Sequence, residues 1–369
     1  MFVVELLMYV AFLCWGFFTV FVLLGLVGLV LYRPRRASVR AGNVVCVIVS
    51  VADRRVEKVL LESVRGALGL GVPVVVLVDE ECELCSELEG LSKALGFTLV
   101  AVPRGYRRDL VGKGRAINYF AEAVAEDGVW YAFLDDDNLV LDDSFLYEIP
   151  YYESRGYVAM NPVLVPRPGR SRLVYAMDFI RFFDDLFCYR FFTGLLGRPL
   201  VGLHGELLTV KGSVLKEVGF NHRSVTEDFR FASELVRRGY RTWQSATRVS
   251  IKSPNSVKDL MKQRGRWFKG VARDWLHAPT PMKVAVGVRL LLWVLGVFGS
   301  WALSPLWLFW RSFYFALPGG IYYWLIYIYG VLKARRPRYL PLIPAFGVIE
   351  SLSLFAGLKQ KGFTVIDKN

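Results

Sequence analysis

The sequence predicts an α/β domain with a mostly parallel sheet and helices on both faces, joined to apolar helices. Between residues 41 and 282, β-branched runs alternate with helical stretches, and two of the runs end in acidic residues. Long uncharged segments flank this region on both sides. The chain is 54% hydrophobic and 15% aromatic, which is too apolar for an ordinary soluble protein and agrees with this division.

Residues 1–32 form the first expected element, a permanent transmembrane helix. Glu5 is the only charged residue in this segment, and the uncharged run after it is long enough to cross a bilayer. A cleaved signal peptide would start with basic residues and have a shorter apolar core. The arginine-rich sequence RPRRASVR comes next, so the positive-inside rule places this end of the helix in the cytoplasm.

Four strands are expected in the first half of the region 41–282, because continuous β-branched runs are typical of strands that are buried on both faces. The runs are 43–52, 72–81, 97–103 and 129–138, and a helical pattern at 112–127 precedes the last of them. Ligands of parallel sheets bind beyond the carboxyl ends of the strands. Asp79 and the triplet DDD at 135–137 lie at those ends.

The triplet Asp135, Asp136 and Asp137 has two interpretations. A solvated loop holds adjacent carboxylates at little cost. A divalent cation is the alternative, because neighbouring carboxylates repel one another and Mg²⁺ or Mn²⁺ prefers oxygen ligands. The position directly after a buried strand favours the cation, although spacing alone leaves both interpretations open.

The second acidic motif is TED, within RSVTEDFRFASELVRRGYRTW at 223–243. Thr226 is expected to cap a helix that runs to about Arg238 and has Glu227 and Asp228 in its first turn. Taken alone, both acids are explained as helix-start residues that the helix dipole favours.

The third motif is QRGRW, within the segment 256–275. Gln263, Arg266 and Trp267 fall within about one turn of a helix, and arginine beside tryptophan suits a diphosphate and an adjacent ring. An amphipathic helix on the membrane surface explains the same segment, and the aromatic segment 171–192 is expected to be another such interface helix.

Two membrane crossings are expected within 283–332, because the segments 284–310 and 312–332 are apolar and basic residues flank them. The last apolar run, 339–358, contains two prolines and Glu350. It is expected to lie in the cytoplasmic interface, with a fourth crossing as the alternative. The tail 359–369 is then cytoplasmic, and the chain is an integral protein of the cell membrane.

The cysteine pair Cys82 and Cys85 forms an isolated CxxC. Zinc usually takes four ligands, and the three histidines of the chain lie far from this pair in sequence. Ordinary thiols or a local disulfide are therefore favoured over a metal site.

Asp79, DDD, TED and QRGRW occur in this order and together resemble the membrane-bound family 2 glycosyltransferases, which include cellulose, hyaluronan and chitin synthases. The resemblance covers most of the chain. It implies a GT-A fold, which is Rossmann-like and binds a nucleotide-diphosphate sugar. FTVIDK at 363–368 resembles the gating loop of cellulose synthases, with Ile366 in place of threonine, and a plain tail is the alternative.

The resemblance also implies roles for individual residues. The donor-side residues are Asp79 at the base, Lys113 near the nucleotide, Asp135 and Asp136 at the nucleotide sugar, and Asp137 at Mn²⁺ or Mg²⁺. The catalytic residues are Asp228 as general base with Glu227 beside it, and Gln263, Arg266 and Trp267, which hold the diphosphate and shape the acceptor site. His204 and Glu206 are expected to tune the acceptor, and a buried loop histidine is the alternative.

A single displacement by such an enzyme inverts the anomeric centre and predicts a β-linked product. Three membrane helices make an open groove, which favours transfer of one hexose, with mannose from GDP-mannose preferred, to a lipid-linked acceptor such as dolichyl phosphate or a dolichyl-diphosphate glycan. The alternatives are a processive polysaccharide synthase, a ceramide-type glucosyltransferase using a UDP-sugar, and an inactive membrane scaffold. The arginines cluster at membrane borders and in QRGRW, which argues against a nucleic-acid partner, and the oligomeric state is left open.

Overall fold

A computed structural model describes residues 2–291, Tyr314 and residues 317–359. Within these residues, eight strands form one sheet in the order β3-β2-β1-β4-β7-β6-β8-β5. The strands are β1 Val44–Val49, β2 Val74–Asp79, β3 Thr98–Val102, β4 Trp130–Asp135, β5 Leu139–Val140, β6 Tyr157–Arg167, β7 Leu208–Lys211 and β8 Arg241–Lys252.

Helices cover both faces of the sheet and continue beyond it. Those of the sheet domain are α2 Glu57–Leu68, α3 Cys85–Leu95, α4 Gly112–Ala123, α5 Ser144–Glu153, α7 Gly212–Val218 and α8 Glu227–Arg237. The remaining helices are α1 Phe2–Leu31, α6 Arg172–Asp184, α9 Val257–Trp275, α10 Thr280–Leu291, α11 Leu317–Lys333 and α12 Ile343–Lys359, with a 3₁₀ segment at Pro337–Leu342.

The four strands expected from the β-branched runs are confirmed as β1 to β4, and they pair in parallel. Their neighbours depart from the mostly parallel sheet that we expected. Strand β7 runs antiparallel to both β4 and β6, and β5 runs antiparallel to β8, so the sheet is mixed. The parallel half carries the acidic residues at its carboxyl edge, where Asp135 ends β4 and Asp79 ends β2.

The buried side chains form a layer on each face of the sheet. On one face, Trp130 of β4 meets Trp243 of β8 edge to face, and Tyr152 of α5 stacks on Trp243 at 4.7 Å between ring centroids. On the other face, Phe120 of α4 packs edge to face on Phe133 of β4. Aromatic packing on both faces therefore fixes β4, and with it the acidic triplet that follows.

The segment 171–192, which we expected to be one interface helix, consists of two helical forms. Helix α6 begins after Ser171, whose Oγ accepts a hydrogen bond from the backbone N–H of Val174. A π-helical segment follows at Asp185–Leu195 and packs against α1.

The apolar helices dock on the elements that surround the carboxyl edge of the sheet. Helix α11 packs on α6, and α12 packs on α9. Within the described residues, Pro337–Gly357 is the one helical stretch that is long and apolar enough to cross a membrane, and Gly16–Leu31 is a shorter apolar helix. The placement of 339–358 in the interface stays a prediction, as do the crossings. The segment 284–310 is described only as far as Leu291, and FTVIDK lies outside the described residues.

Candidate active site

One cavity of about 640 Å³ opens at the carboxyl edge of the parallel strands. All twelve candidate residues line it: Asp79, Lys113, Asp135, Asp136, Asp137, His204, Glu206, Glu227, Asp228, Gln263, Arg266 and Trp267. The first and the last of these residues are almost two hundred positions apart in the sequence. The fold therefore brings the separate motifs together around one cavity. The cavity is within the size range of small-molecule sites.

Lys113 lies at the centre of the polar part of this cavity. Its Nζ donates to Asp135 Oδ1 at 2.6 Å and to the backbone carbonyl of Gly205 at 2.6 Å. Burial lowers the pKa of Lys113, but the charges of Asp135 and Glu227 outweigh burial and raise the pKa above its usual value. The lysine therefore stays charged and joins the end of β4 to the loop before β7.

The other acids at this edge have their own partners. Asp136 accepts a hydrogen bond at 2.7 Å from Ser50, which follows β1. Asp137 is only 1% exposed although it lines the cavity. Asp79 is exposed, and Arg115 of α4 reaches it at 2.5 Å. Sequence reasoning missed Ser50 and Arg115, because their roles depend on neighbouring strands and helices rather than on a local pattern.

Helix α8 begins where the sequence predicted, but the predicted side-chain cap is wrong. Thr226 occupies the N-cap position and makes no capping hydrogen bond. Its Oγ1 instead donates to Asp274 Oδ2 at 3.1 Å, and Ser224 also donates to Asp274. Asp274 belongs to α9, so this competing partner ties the TED turn to the helix that carries QRGRW.

Three titratable groups converge on Gly205. A Cβ atom at this position would lie 3.4 Å from Lys113 Nζ, 3.6 Å from Asp228 Oδ2 and 3.9 Å from Glu227 Oε1. Any larger residue would fill the space between them. The two acids of the TED motif are therefore held beside the lysine that contacts Asp135, rather than exposed as ordinary helix-start residues.

The carboxylates in this cluster differ in proton affinity. Burial, together with the nearby charge of Asp228, raises the pKa of Glu227 to about 8, although Lys113 opposes the shift. Burial, together with the charge of Glu206, raises the pKa of Asp228 to about 6. For Glu206 burial acts in the same upward direction, but Arg181, His204 and Lys113 outweigh it and lower the pKa to about 2.

His204 and Glu206 are each paired with a residue of the aromatic segment. Nε2 of His204 lies 2.7 Å from Oδ1 of Asp185, and its ring packs on Tyr189 at 4.5 Å between centroids. Glu206 forms an ion pair with Arg181. The segment therefore contributes charged side chains to the cavity, whereas the sequence predicted only a membrane-facing role for it.

Within QRGRW, Gln263 is buried and Trp267 is half-buried. Two guanidinium groups lie over the ring of Trp267: that of Arg181 at 4.9 Å and that of Arg264 at 4.7 Å from the ring centroid. Arg181 also forms an ion pair with Glu206. The Arg181 side chain therefore contacts both the Trp267 ring and one of the carboxylates of the cavity.

The same cavity continues into an apolar region. Phe18 and Phe21 of α1, Phe187 of the π-helical segment, and Tyr322 and Ile326 of α11 line it. Arg289 of α10 lies between the two regions: it pairs with Asp184 at 2.5 Å, and its guanidinium lies 6.0 Å from the ring centroid of Tyr189. One cavity thus joins a charged end on the sheet to an apolar end on the helices.

The part of the chain that the structure describes contains no group of three or more His, Cys, Asp or Glu side chains that could by itself hold a metal ion. The CxxC pair is a disulfide between Cys82 and Cys85, in agreement with one of the two favoured interpretations.

Comparison with known proteins identifies the family. Residues 130–335 match the sequence profile of the glycosyl transferase family group 2, which is more than half of the chain. The chain belongs to this family. The family resemblance drawn from DDD, TED and QRGRW is therefore confirmed.

Two similar proteins are named as beta-1,4-mannosyltransferases. The chain is 26% identical over 217 residues to the beta-1,4-mannosyltransferase bre-3 of Caenorhabditis briggsae, covering 56% of this chain and 46% of that protein. It is 27% identical over 219 residues to the beta-1,4-mannosyltransferase egh of Drosophila melanogaster, covering 53% and 45%. The chain thus spans about half the length of these relatives.

A solved structure shares the fold. The mannosyltransferase PcManGT from Pyrobaculum calidifontis, solved in complex with GDP-Man and Mn²⁺, aligns with a TM-score of 0.61 at 14% identity, over 95% of this chain and 99% of that one. At this identity the likeness concerns the fold alone, and it agrees with the GT-A fold expected from the motifs.

Proposed function

We propose that this chain is an inverting, metal-dependent mannosyltransferase that moves a single mannose from GDP-mannose to a lipid-linked acceptor, such as dolichyl phosphate or a dolichyl-diphosphate glycan. The observation that carries the proposal is the continuous cavity, with Lys113 and the acidic cluster at one end and Phe18, Phe21 and Ile326 at the other. A nucleotide sugar fits the charged end, and a lipid tail fits the apolar end.

The donor is proposed to lie along the carboxyl ends of β1, β2 and β4. Asp79 is exposed at the rim of the cavity, where its carboxylate can contact the nucleotide base without first being buried. Arg115 forms an ion pair with this carboxylate. Asp135 and Asp136 are half-buried and are positioned by Lys113 and Ser50 for the sugar and ribose hydroxyls. Arg266 lines the cavity and is proposed to bind the diphosphate, for which its planar fork is suited.

A divalent cation is proposed to bind at Asp137. The carboxylates of the DDD triplet are hard oxygen donors, which suit Mn²⁺ or Mg²⁺, and the buried Asp137 side chain lines the cavity. The described residues provide no complete ligand set, so the diphosphate would supply further oxygens, as is common for these ions. When bound, the ion neutralises charge that develops on the leaving diphosphate.

Where the acceptor is a dolichyl-diphosphate glycan, its attacking hydroxyl is proposed to lose its proton to Asp228; the ionised oxygen of dolichyl phosphate needs no such base. This carboxylate lies beside Gly205 and shares the cavity with Trp267, where the acceptor sugar would stack. A pKa of about 6 leaves Asp228 ionised at neutral pH and still basic enough to take a proton in the transition state. Glu206, with its lowered pKa, stays ionised on Arg181 and is proposed to accept hydrogen bonds from the acceptor.

Mannose as the sugar is supported by the relatives, which are named as mannosyltransferases. Their beta-1,4 linkage agrees with the β-linked product that a single displacement predicts. GDP as the carrier is supported by PcManGT, which was solved with GDP-Man.

The test uses the purified full chain in detergent with Mn²⁺. GDP-mannose, UDP-glucose and UDP-GlcNAc are each supplied with and without dolichyl phosphate, a dolichyl-diphosphate glycan or a glucosylated lipid, and release of the nucleoside diphosphate and formation of a glycolipid are both measured. We expect release from GDP-mannose, stimulated by a lipid acceptor and lost when Mn²⁺ is chelated.

Asp228→Asn is the inactive control, and Asp127→Asn, an exposed acid paired with Lys216, is the matched active control. Long polymeric products would favour a processive synthase. Transfer from UDP-glucose to a lipid would favour a ceramide-type enzyme, and absence of release with every donor would contradict a transferase.

A further inference from the structure

Arg264 lies within QRGRW but has no expected role, yet it is among the most buried large side chains of the described residues, at 2% exposure. Its Nη2 donates to Asp178 Oδ1 at 2.7 Å, and its Nε lies 3.2 Å from Oε2 of Glu350. Asp178 belongs to α6 and Glu350 to α12. One guanidinium on α9 is therefore bonded to acids from two other helices.

Glu350 is the one charge within the otherwise apolar stretch 339–358. A carboxylate in such a helix is costly unless a cation and hydrogen bonds compensate it. Helices α9 and α12 approach so closely that a Cβ atom on Gly265 would overlap backbone atoms of Ser353 and Gly357. The approach brings Glu350 within reach of Arg264, so the acid in the apolar helix has a defined partner on the helix of the QRGRW motif.

The guanidinium that Glu350 holds is one of the two that lie over Trp267. Residues 264 and 267 are three apart on α9 and share one face of the helix. Fixing Arg264 therefore fixes the orientation of the tryptophan ring. The second guanidinium over this ring, that of Arg181, leads directly to Glu206 in the cavity.

We propose that Glu350 is a positioning residue for acceptor binding: by anchoring Arg264 from α12, it sets the orientation of Trp267 in the acceptor part of the cavity. Among the described side chains of α12, Glu350 lines the cavity and no apolar side chain does. This inference rests on the proposed function, in which Trp267 contacts the acceptor.

The main variant is Glu350→Gln in the full chain. Asp178 remains as a counter-ion, so Arg264 is not left as an unpaired buried charge and the fold is expected to survive. Glu148→Gln is the matched control, because Glu148 is equally buried but bonds Trp243 and the backbone N–H of Ala246 on the far face of the sheet. Arg264→Lys is a second variant, since lysine lacks the planar fork that bonds two acids.

Two readouts separate positioning from stability. The first is steady-state kinetics with GDP-mannose and a lipid acceptor, in which Glu350→Gln and Arg264→Lys are expected to raise the acceptor KM about tenfold and to change the donor KM little. In a Trp267→Ala background, Glu350→Gln is expected to add almost no further change. Glu350→Asp, which keeps the charge, is expected to restore most of the acceptor affinity.

The second readout needs no activity: oxidative footprinting of the peptide that contains Trp267. We expect faster oxidation of Trp267 in Glu350→Gln than in the wild type or in Glu148→Gln. If Trp267→Ala leaves the acceptor KM unchanged, the proposed role of Trp267 fails, and the footprint alone decides whether Glu350 positions the ring. If Trp267→Ala raises the acceptor KM but Glu350→Gln changes neither KM nor footprint, the inference is overturned and the proposed function stands.

Discussion

Asp228 and Glu227 are adjacent residues of one motif, and their surroundings give them different protonation states at neutral pH. Burial raises the pKa of both, but that of Glu227 reaches about 8 and that of Asp228 about 6. Titratable neighbours with separated pKa values are typical of acid–base sites. At neutral pH the site therefore keeps one ionised base and one neutral acid.

We expect the activity of the enzyme to rise with pH through about 6, because Asp228 accepts a proton only after it has lost its own. The pKa of this acid is raised from 3.8, so activity is lost as pH falls through about 6 rather than through its ordinary range. Asp228→Asn is expected to lower kcat by about 10²–10⁴-fold and to leave donor affinity unchanged.

The measurement for Asp228 is the pH profile of kcat/KM by nucleoside diphosphate release. Asp127→Asn should reproduce the wild-type profile, because Asp127 is exposed and distant from the cavity. A wild-type profile that is flat from about pH 5 to 7 would contradict the assignment of Asp228 as the base.

Glu227 leads to a prediction about stability. Its folded-state pKa is about 8 against 4.5 for the free side chain, so the folded state holds this proton more tightly than the unfolded state does. The resulting stabilisation is complete below about pH 4.5 and is lost as pH rises through about 8. Glu227→Gln removes the titration and is expected to be more stable than the wild type above that pH, by on the order of 1–3 kcal/mol.

Thermal unfolding in detergent between about pH 6 and 9 tests this expectation. Glu217→Gln is the control, because Glu217 is an exposed acid whose hydrogen bonds from Tyr240 and Arg238 lower its pKa rather than raise it. Parallel Tm curves for the wild type and Glu227→Gln would show that Glu227 does not titrate in this range.

At the scale of elements, the apolar end of the cavity depends on how the apolar helices dock. Helix α11 crosses α6 at Gly330, where a Cβ atom would overlap the backbone carbonyl of Ala176. The crossing brings Tyr322 and Ile326 to the cavity and leaves no space for a side chain at the contact.

Gly330→Ala is therefore expected to destabilise the protein by about 1–3 kcal/mol, as overpacking of a closed contact does. The matched control is Gly90→Ala in α3, where the added methyl group meets no atom within 4 Å. The control is expected to be neutral or to gain up to about 1 kcal/mol, because alanine is the better helix former. A lower Tm for Gly330→Ala than for Gly90→Ala would support the close contact between α11 and α6 at Gly330. Equal Tm values for the two variants would refute it.

An element can be predicted from sequence when its own residues carry the signal, and not when it is stabilised mainly by pairing with a distant element. Strands β1 to β4 are continuous apolar runs that end in turn or acidic residues, and this local signal placed both them and the acids of the cavity correctly. Strand β8 contains Arg241, Gln244 and Arg248 and is stabilised by non-local pairing with β6, so no local run marks it. The mixed second half of the sheet was accordingly missed.

The same reasoning explains which residues of the cavity can be predicted from the sequence. Acids at strand ends and the QRGRW pattern carry a signal of their own. Arg181, Asp185 and Glu350 lie in aromatic or apolar segments, and their roles come only from partners on other helices. For the same reason Thr226 was given a capping role: the competing acceptor, Asp274, is on another helix.

At the scale of the whole molecule, the cavity connects charged chemistry on the sheet to apolar side chains on α1 and α11. If a lipid tail occupies the apolar end, acceptor binding gains from each buried methylene, by about 0.8 kcal/mol at most. This gain in acceptor binding should depend on the side chains of α1 that line the cavity and not on the exposed side chains of the same helix. Phe21 lines the cavity, whereas Phe17 of the same helix is 44% exposed.

We therefore expect Phe21→Ala to lower kcat/KM for a long-tailed acceptor by about tenfold, and to change it little for a short-tailed acceptor with the same head group. Phe17→Ala removes an aromatic ring of the same size from the same helix without opening the cavity, and should leave both values near the wild type. The measurement is the ratio of kcat/KM for the two acceptors in each variant. If the ratio is the same in the wild type and in Phe21→Ala, the tail does not occupy this end, and the apolar region serves only to dock α1 on the catalytic domain.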